Sequence, residues 1–151
     1  MSQSRQISYG ETLGRKMRIH FVEKQVTIAD MTDEDTSQTW DFPVVGSDSP
    51  SSRIVVLGHS VKVATALTGG SLSAADCDLG TSDDTDALTD GADVFGTAVD
   101  GYAASQTLGI APFKEFTGAV TFQLTINTTG NDLDEITAGD VTGVIYYAEL
   151  I

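Results

Sequence analysis

From Met17 to Phe21, apolar residues recur at every second position. Met17, Ile19 and Phe21 alternate with Arg18, His20 and Val22, and Val26 and Ile28 follow. A period of two predicts strands with one buried face. The acidic, Ser-rich stretch after Ala29 carries Trp40 and Phe42 and is closed by Pro43 and Pro50, so a short strand is expected around Thr39–Val45 within a loop. Ile54–Leu57 is a continuous apolar run, and Val61, Val63 and Thr65 alternate with polar or small residues, which predicts two β-rich pieces. The Gly69-Gly70 pair permits a positive-φ turn and a hairpin after it. Ala75, Cys77 and Leu79 are predicted on one face of the next strand, with Asp76 and Asp78 on the other.

The segment TSDDTDALTDGADVFG is expected to be a loop holding a short helical turn, capped by Asp84 or Thr85 and ended by Gly91. In GAVTFQLTIN, Val120, Phe122, Leu124 and Ile126 face one way, and Thr121, Gln123, Thr125 and Asn127 the other. TTGNDLDEITAGD is a turn-rich connection, and VTGVIYYAELI supplies a closing strand. Residues 1–14 are polar, with Gly10 and Gly14 set against any regular element, and are expected to form an extended arm. No stretch holds a 3.6-residue period over three turns. The fold class is therefore all-β: a sandwich, jelly roll or small barrel over 15–151, preceded by the arm.

Composition narrows this further. A chain of 151 residues suits one domain with a real core, and 15 glycines suit many turns. No apolar run approaches the roughly 18 residues of a helical membrane span. The N-terminal twenty residues lack the apolar centre of a secretion signal, and Cys77 is the only cysteine, so no internal disulfide forms. A cytoplasmic origin is expected.

The charge of −14 is unevenly placed. Residues 1–29 hold five bases (Arg5, Arg15, Lys16, Arg18, Lys24) and two acids, whereas 30–151 hold three bases and the other twenty acids. A body this acidic repels nucleic acid and anionic membranes, so neither is an expected partner. The basic head suits an acidic or polar protein surface.

The candidate chemistry is sparse. Asp78, Asp83, Asp84, Asp86, Asp90 and Asp93 crowd residues 77–96. An EF-hand register starting at Asp84 fails, because Leu88 and Thr89 occupy its fifth and sixth positions. An irregular calcium site from Asp83, Asp84, Asp86 and Asp90 stays open as an alternative to solvated turn residues. Gly58-His59-Ser60-Val61-Lys62 begins like a nucleophile elbow, but Lys62 stands where the last glycine belongs and a β pattern follows. His20 and His59, the only histidines, show no triad order. There is no phosphate-binding loop and no Cys/His metal spacing, so no enzyme activity and no cofactor are expected. Asn127-Thr128-Thr129 matches a glycosylation sequon, read as chance. Trp40 and Phe42 are candidates for interface anchors as well as for core packing.

The segment VKVATALTGGSLSAADCDLGTSDDTDALTDGADVFG, residues 61–96, resembles a pattern recurring in tailed-bacteriophage virion proteins. A strand ending in Thr65, Gly69 and Gly70 leads to a short strand ending at Asp78 and Gly80. An Asp-rich turn then carries Asp84, Asp86, Leu88, Asp90, Gly91 and Asp93. The resemblance covers about a quarter of the chain. It implies a capsid decoration (cement, head-stabilising) protein: a structural part bound to the major capsid protein, forming homotrimers at local three-fold axes. It further implies a place on the capsid exterior, with assembly in the host bacterial cytoplasm. In that role the arm adds a strand to the shell, and Arg5, Arg15, Lys16 and Arg18 make the contact. The alternatives are a tail-tube, tail-terminator or connector protein, and a calcium-dependent β-sandwich module that binds carbohydrate.

Overall fold

A computed structural model of the chain describes residues 7–12, 15–96, 99–102 and 114–150; for 7–12, 15–16 and 99–102 the backbone alone is described. The strands are β1 (Ile7–Thr12), β2 (Arg15–Thr27), β3 (Ser37–Asp41), β4 (Arg53–Gly69), β5 (Ala74–Thr81), β6 (Asp84–Asp93), β7 (Val99–Tyr102), β8 (Glu115–Thr117), β9 (Phe122–Thr129) and β10 (Ile136–Leu150). One 3-10 turn, Leu133–Glu135, precedes β10. The larger sheet runs β1-β2-β10-β4-β7, with β8 also on β4, and the smaller runs β3-β9-β5-β6. The strand pairings are antiparallel. The expected all-β class is observed, as a two-sheet sandwich.

One core cluster joins the sheets. Leu79, Phe122, Leu124 and Ile126 come from the smaller sheet, and Val22, Val26, Ile54, Val61, Val63, Val141 and Ile145 from the larger. The predicted faces of β5 and β9 hold: Ala75, Cys77, Leu79, Phe122, Leu124 and Ile126 are buried, and Val120 packs against the core from its bridge to Val45. Phe116 meets Phe122 edge-on at 5.6 Å, an arrangement the aromatic quadrupole favours. At the centre of β10, Gly143 lets the sheets approach. A Cβ there would lie 2.8 Å from Leu79 Cδ2, 2.9 Å from Phe42 Cζ and 3.0 Å from Leu124 Cδ1.

Several local expectations fail for identifiable reasons. The core side of β2 is Val22 and Val26, while Met17 is 39% exposed and Ile28 46% exposed. Register with β10 decides this. Val22 lies opposite Ile145 and Val26 opposite Val141, and that row is fully buried. A strand's parity follows its partner when both of its faces carry apolar residues. The two pieces of β4 are one 17-residue strand, interrupted against β10 by register shifts such as that at Val56–Gly58.

Gly69-Gly70 closes no hairpin, because β4 pairs with β10 and β5 pairs with β9 and β6. The turn instead carries the chain from one sheet to the other. Buried Asn131 holds it by accepting from the Ser71 amide at 2.9 Å. Residues 7–12, expected to lack regular structure, form β1, which pairs with β2 through Ile7↔Ile19 and Tyr9↔Met17. Arg5 lies outside the described residues.

The acidic stretch is not a loop with a helical turn. It is an edge strand, β6, reached from β5 by a turn at Ser82-Asp83. Ala87, Leu88, Thr89 and Ala92 are buried, while Asp84, Asp86, Asp90 and Asp93 are exposed. Burial of those small and apolar residues outweighs the poor strand propensity of aspartate. Two register shifts against β5 give the strand its irregular course.

Candidate functional site

The two outer faces of the sandwich differ in chemistry. On the smaller sheet, Asp41, Asp76, Asp78 and Asp93 stand among Ser37, Thr39, Gln123, Thr125 and Asn127, with Asp90 beside them in the shifted part of β6. Strand register makes these residues a hydrogen-bonded lattice. The Asn127 amide donates to Asp76 at 2.9 Å and to Asp78 at 2.8 Å, and its oxygen accepts from the Ser37 hydroxyl at 2.8 Å. Gln123 donates to Asp41, and the Thr39 and Thr125 hydroxyls meet at 2.9 Å. Asn127 is thus committed within a central strand, which supports reading the sequon as chance. Gly91, at φ 65° in the irregular part of β6, donates its amide to Asp78 at 2.8 Å. Burial pushes the Asp78 carboxyl up, and the Gly91 and Asn127 hydrogen bonds oppose that rise.

On the larger sheet the outer face carries an apolar row. Phe21, Tyr146 and Gly58 are paired across β2, β10 and β4, with Leu57 next to Gly58. The Phe21 and Tyr146 rings are 6.2 Å apart, and Tyr146, Leu57 and Met17 are each 39% exposed. The sequence carried a signal for this face, because Met17–Val22 and Val144–Leu150 hold apolar residues of both parities.

Charge is also sorted along the strand axis. Arg15, Lys16, Arg18 and Arg53 lie where β2 and β4 begin, beside Glu115 and Glu149. At the far end, the 28–36 connection holds Asp30, Asp33, Glu34 and Asp35, and the 130–135 connection holds Asp132, Asp134 and Glu135, with no base in either. Backbone hydrogen bonds tie these together, from Leu133 to Asp35 and from Asp134 to Asp33. Asp30 is held below the usual carboxylate range by the Thr27 amide and hydroxyl.

Arg18 is half-buried opposite Glu149, and Arg15 and Lys16 occupy the first rungs of β2. Phe42 is 2% exposed in the core, so it is no interface anchor; Trp40 is partly buried against the same core. Both follow from β3 register, which sets Trp40 opposite buried Leu124. Asp83 sits in the turn, Asp84 accepts an ion pair from Lys114 at 3.7 Å, and a hydrogen bond with Asp84 raises the Asp86 carboxyl. Among the described residues, no three His, Cys, Asp or Glu side chains are grouped to hold a metal ion. Cys77 is fully buried, and burial pushes its thiol far up.

His59 and Ser60 are separated by strand alternation. The His59 ring points inward, with Nδ1 2.8 Å from the Thr89 hydroxyl of β6, whereas Ser60 Oγ is buried with no hydrogen-bond partner among the described residues. They do not form a base–nucleophile pair. The His59–Thr89 bond links the two sheets, and burial lowers the His59 pKa from 6.5. The folded chain therefore binds this proton less tightly than the unfolded chain. Its contribution to stability is complete above pH 6.5 and falls as pH drops from there through the folded-state value. On going from about pH 7.5 to about pH 5.5, the wild-type melting temperature should fall more than that of His59→Asn. Equal falls would show that this ring does not report the change. Protonation of Asp78 acts with the opposite sign, adding stability as pH falls toward the ordinary carboxylate value of 3.8.

Among the described residues, no helix is long and apolar enough to cross a membrane. No family model matches the chain. No curated protein matches it in sequence. Among solved structures, it is similar to a chain of the "Cyanophage Pam1 capsid asymmetric unit", at 14% identity and a TM-score of 0.46, over 97% of this chain and 94% of that one.

Proposed function

We propose that the chain is a non-enzymatic structural protein of a tailed-phage virion that decorates the capsid exterior. In this reading it binds the major capsid protein and sits as homotrimers at local three-fold axes. The observation that carries it is the charge segregation along the sandwich. The end bearing Arg15, Lys16 and Arg18 is also where the N-terminal segment joins β2, and the acidic connections lie at the opposite end. A protein held by its basic end presents its carboxylates to solvent, where they cost least and keep decorated particles apart. The phage-like pattern over residues 61–96 supports the same reading, with β5, the Ser82-Asp83 turn and β6 as its structural content.

Residues 1–14 act in this account as the attachment arm, adding a strand to the shell. Electron cryo-microscopy of the virion tests the location. Density for the chain on the outer shell at three-fold positions is expected, and density confined to the tail or connector would overturn the proposal.

A further inference from the structure

We propose that Asp90-Gly91 is a site of spontaneous backbone isomerisation, and that Asp78 holds the reaction in check in the folded chain. Strand register sets the pair apart. Cys77 lies opposite Ala92 and Leu79 opposite Thr89, so Asp90 and Gly91 together stand against Asp78 alone. That is a bulge, in the last strand of the smaller sheet. Both residues are exposed, and Gly91 holds a φ of 65° with open space where a Cβ would sit.

In an Asp-Gly pair, the side-chain carboxyl and the following amide nitrogen meet with the least steric obstruction. The Gly91 nitrogen attacks Asp90 Cγ, an N–Cγ bond forms, and the hydroxyl of the neutral carboxyl leaves with the amide proton as water. Water then opens the imide ring at the former main-chain carbonyl, so the chain runs through Cβ and Cγ. Nothing is oxidised or reduced. The net change is an isomerisation that lengthens β6 by one methylene.

The fold opposes the first step. Attack requires the Gly91 peptide plane to turn its nitrogen toward Asp90 Cγ and to release its proton. That amide is instead committed to Asp78 Oδ1 at 2.8 Å. The second Asp78 oxygen accepts from Asn127 at 2.8 Å, and Asn127 is held in turn by Asp76 and Ser37. The acceptor is therefore fixed from the centre of the sheet, and a hydrogen bond to a carboxylate is one of the stronger kinds.

Isoaspartate-specific methylation with peptide mapping, on chain aged at mildly acidic pH, reads the outcome. In the folded wild type, Asp90 should isomerise more slowly than in the same chain unfolded in urea. Asp78→Ala should speed the reaction at Asp90 roughly tenfold, the change expected when one hydrogen bond to a charged group no longer holds the closed state. Asp78→Asn keeps an oxygen acceptor and should stay near the wild-type rate. Asp100-Gly101, the chain's other Asp-Gly pair, is the internal control and should not change. If Asp78→Ala does not fold, Asp78→Thr favours a strand without a carboxylate and reads the same shift.

Equal rates at Asp90 in the folded and unfolded wild type overturn the proposal. So does a folded Asp78→Ala that ages like the wild type, or one in which Asp90 and Asp100 speed up together, which is general loosening. A slower reaction in Asp78→Ala would make Asp78 the base that removes the amide proton, and overturns it too. None of these outcomes depends on the proposed function.

Discussion

Gly143→Val is expected to destabilise the chain by about 3 kcal/mol, the upper end for overpacking a filled core. The new side chain would enter the narrowest part of the sandwich, where even a Cβ lies 2.8–3.0 Å from Leu79, Phe42 and Leu124. Those three neighbours are themselves buried and cannot swing into solvent, so the sheets must separate or β10 must shift. At about 2–4 °C per kcal/mol for a chain of this size, the melting temperature should fall by roughly 10 °C. Gly58→Ala is the matched control, because a Cβ there meets nothing within 4 Å on the same sheet. Gly143→Val melting with the wild type would mean that the sheets do not pack this closely.

Gly80→Ala is expected to cost a comparable amount by a different route. A Cβ at Gly80 would fall far inside contact distance of the Asp84 carbonyl oxygen and the Thr85 backbone. The obstacle is backbone rather than the end of a flexible side chain, so the hairpin end of β5 and β6 must open. That movement pulls on Leu88 and Thr89, both buried, and on the His59–Thr89 bond between the sheets. Hydrogen exchange should show β6 amides losing protection before those of β9, together with a lower melting temperature. Unchanged protection in β6 would contradict the close crossing over Gly80.

These two glycines show which parts of the fold were legible in the sequence. Strand alternation in β5 and β9 was readable because one face is apolar and the other polar, as in Phe122–Asn127. β2 was misread because Met17, Ile19 and Phe21 on one parity compete with Val22 and Val26 on the other, and only pairing with β10 resolves the choice. The crossover at Gly69-Gly70 depends on which strands pair, a non-local fact that turn chemistry does not contain. β6 was hidden by its aspartates, since its strand character comes from burial of Ala87, Leu88 and Thr89 rather than from propensity. In the candidate surfaces, the charge imbalance was legible from composition. The apolar outer row was signalled only by apolar residues on both parities of Met17–Val22 and Val144–Leu150, and which parity faces outward is fixed by the pairing of β2 with β10.

Attachment to the shell, in the proposed function, depends on the basic end of the sandwich and the segment before it. Co-sedimentation with undecorated capsids of the phage that the proposed function implies tests it, comparing the full chain with a chain lacking residues 1–14. The full chain is expected to pellet with capsids, while the truncated chain, which loses the edge strand β1 but keeps a cooperative, if lower, melting transition, stays in the supernatant. Truncated chain that pellets as efficiently as the full chain would contradict it.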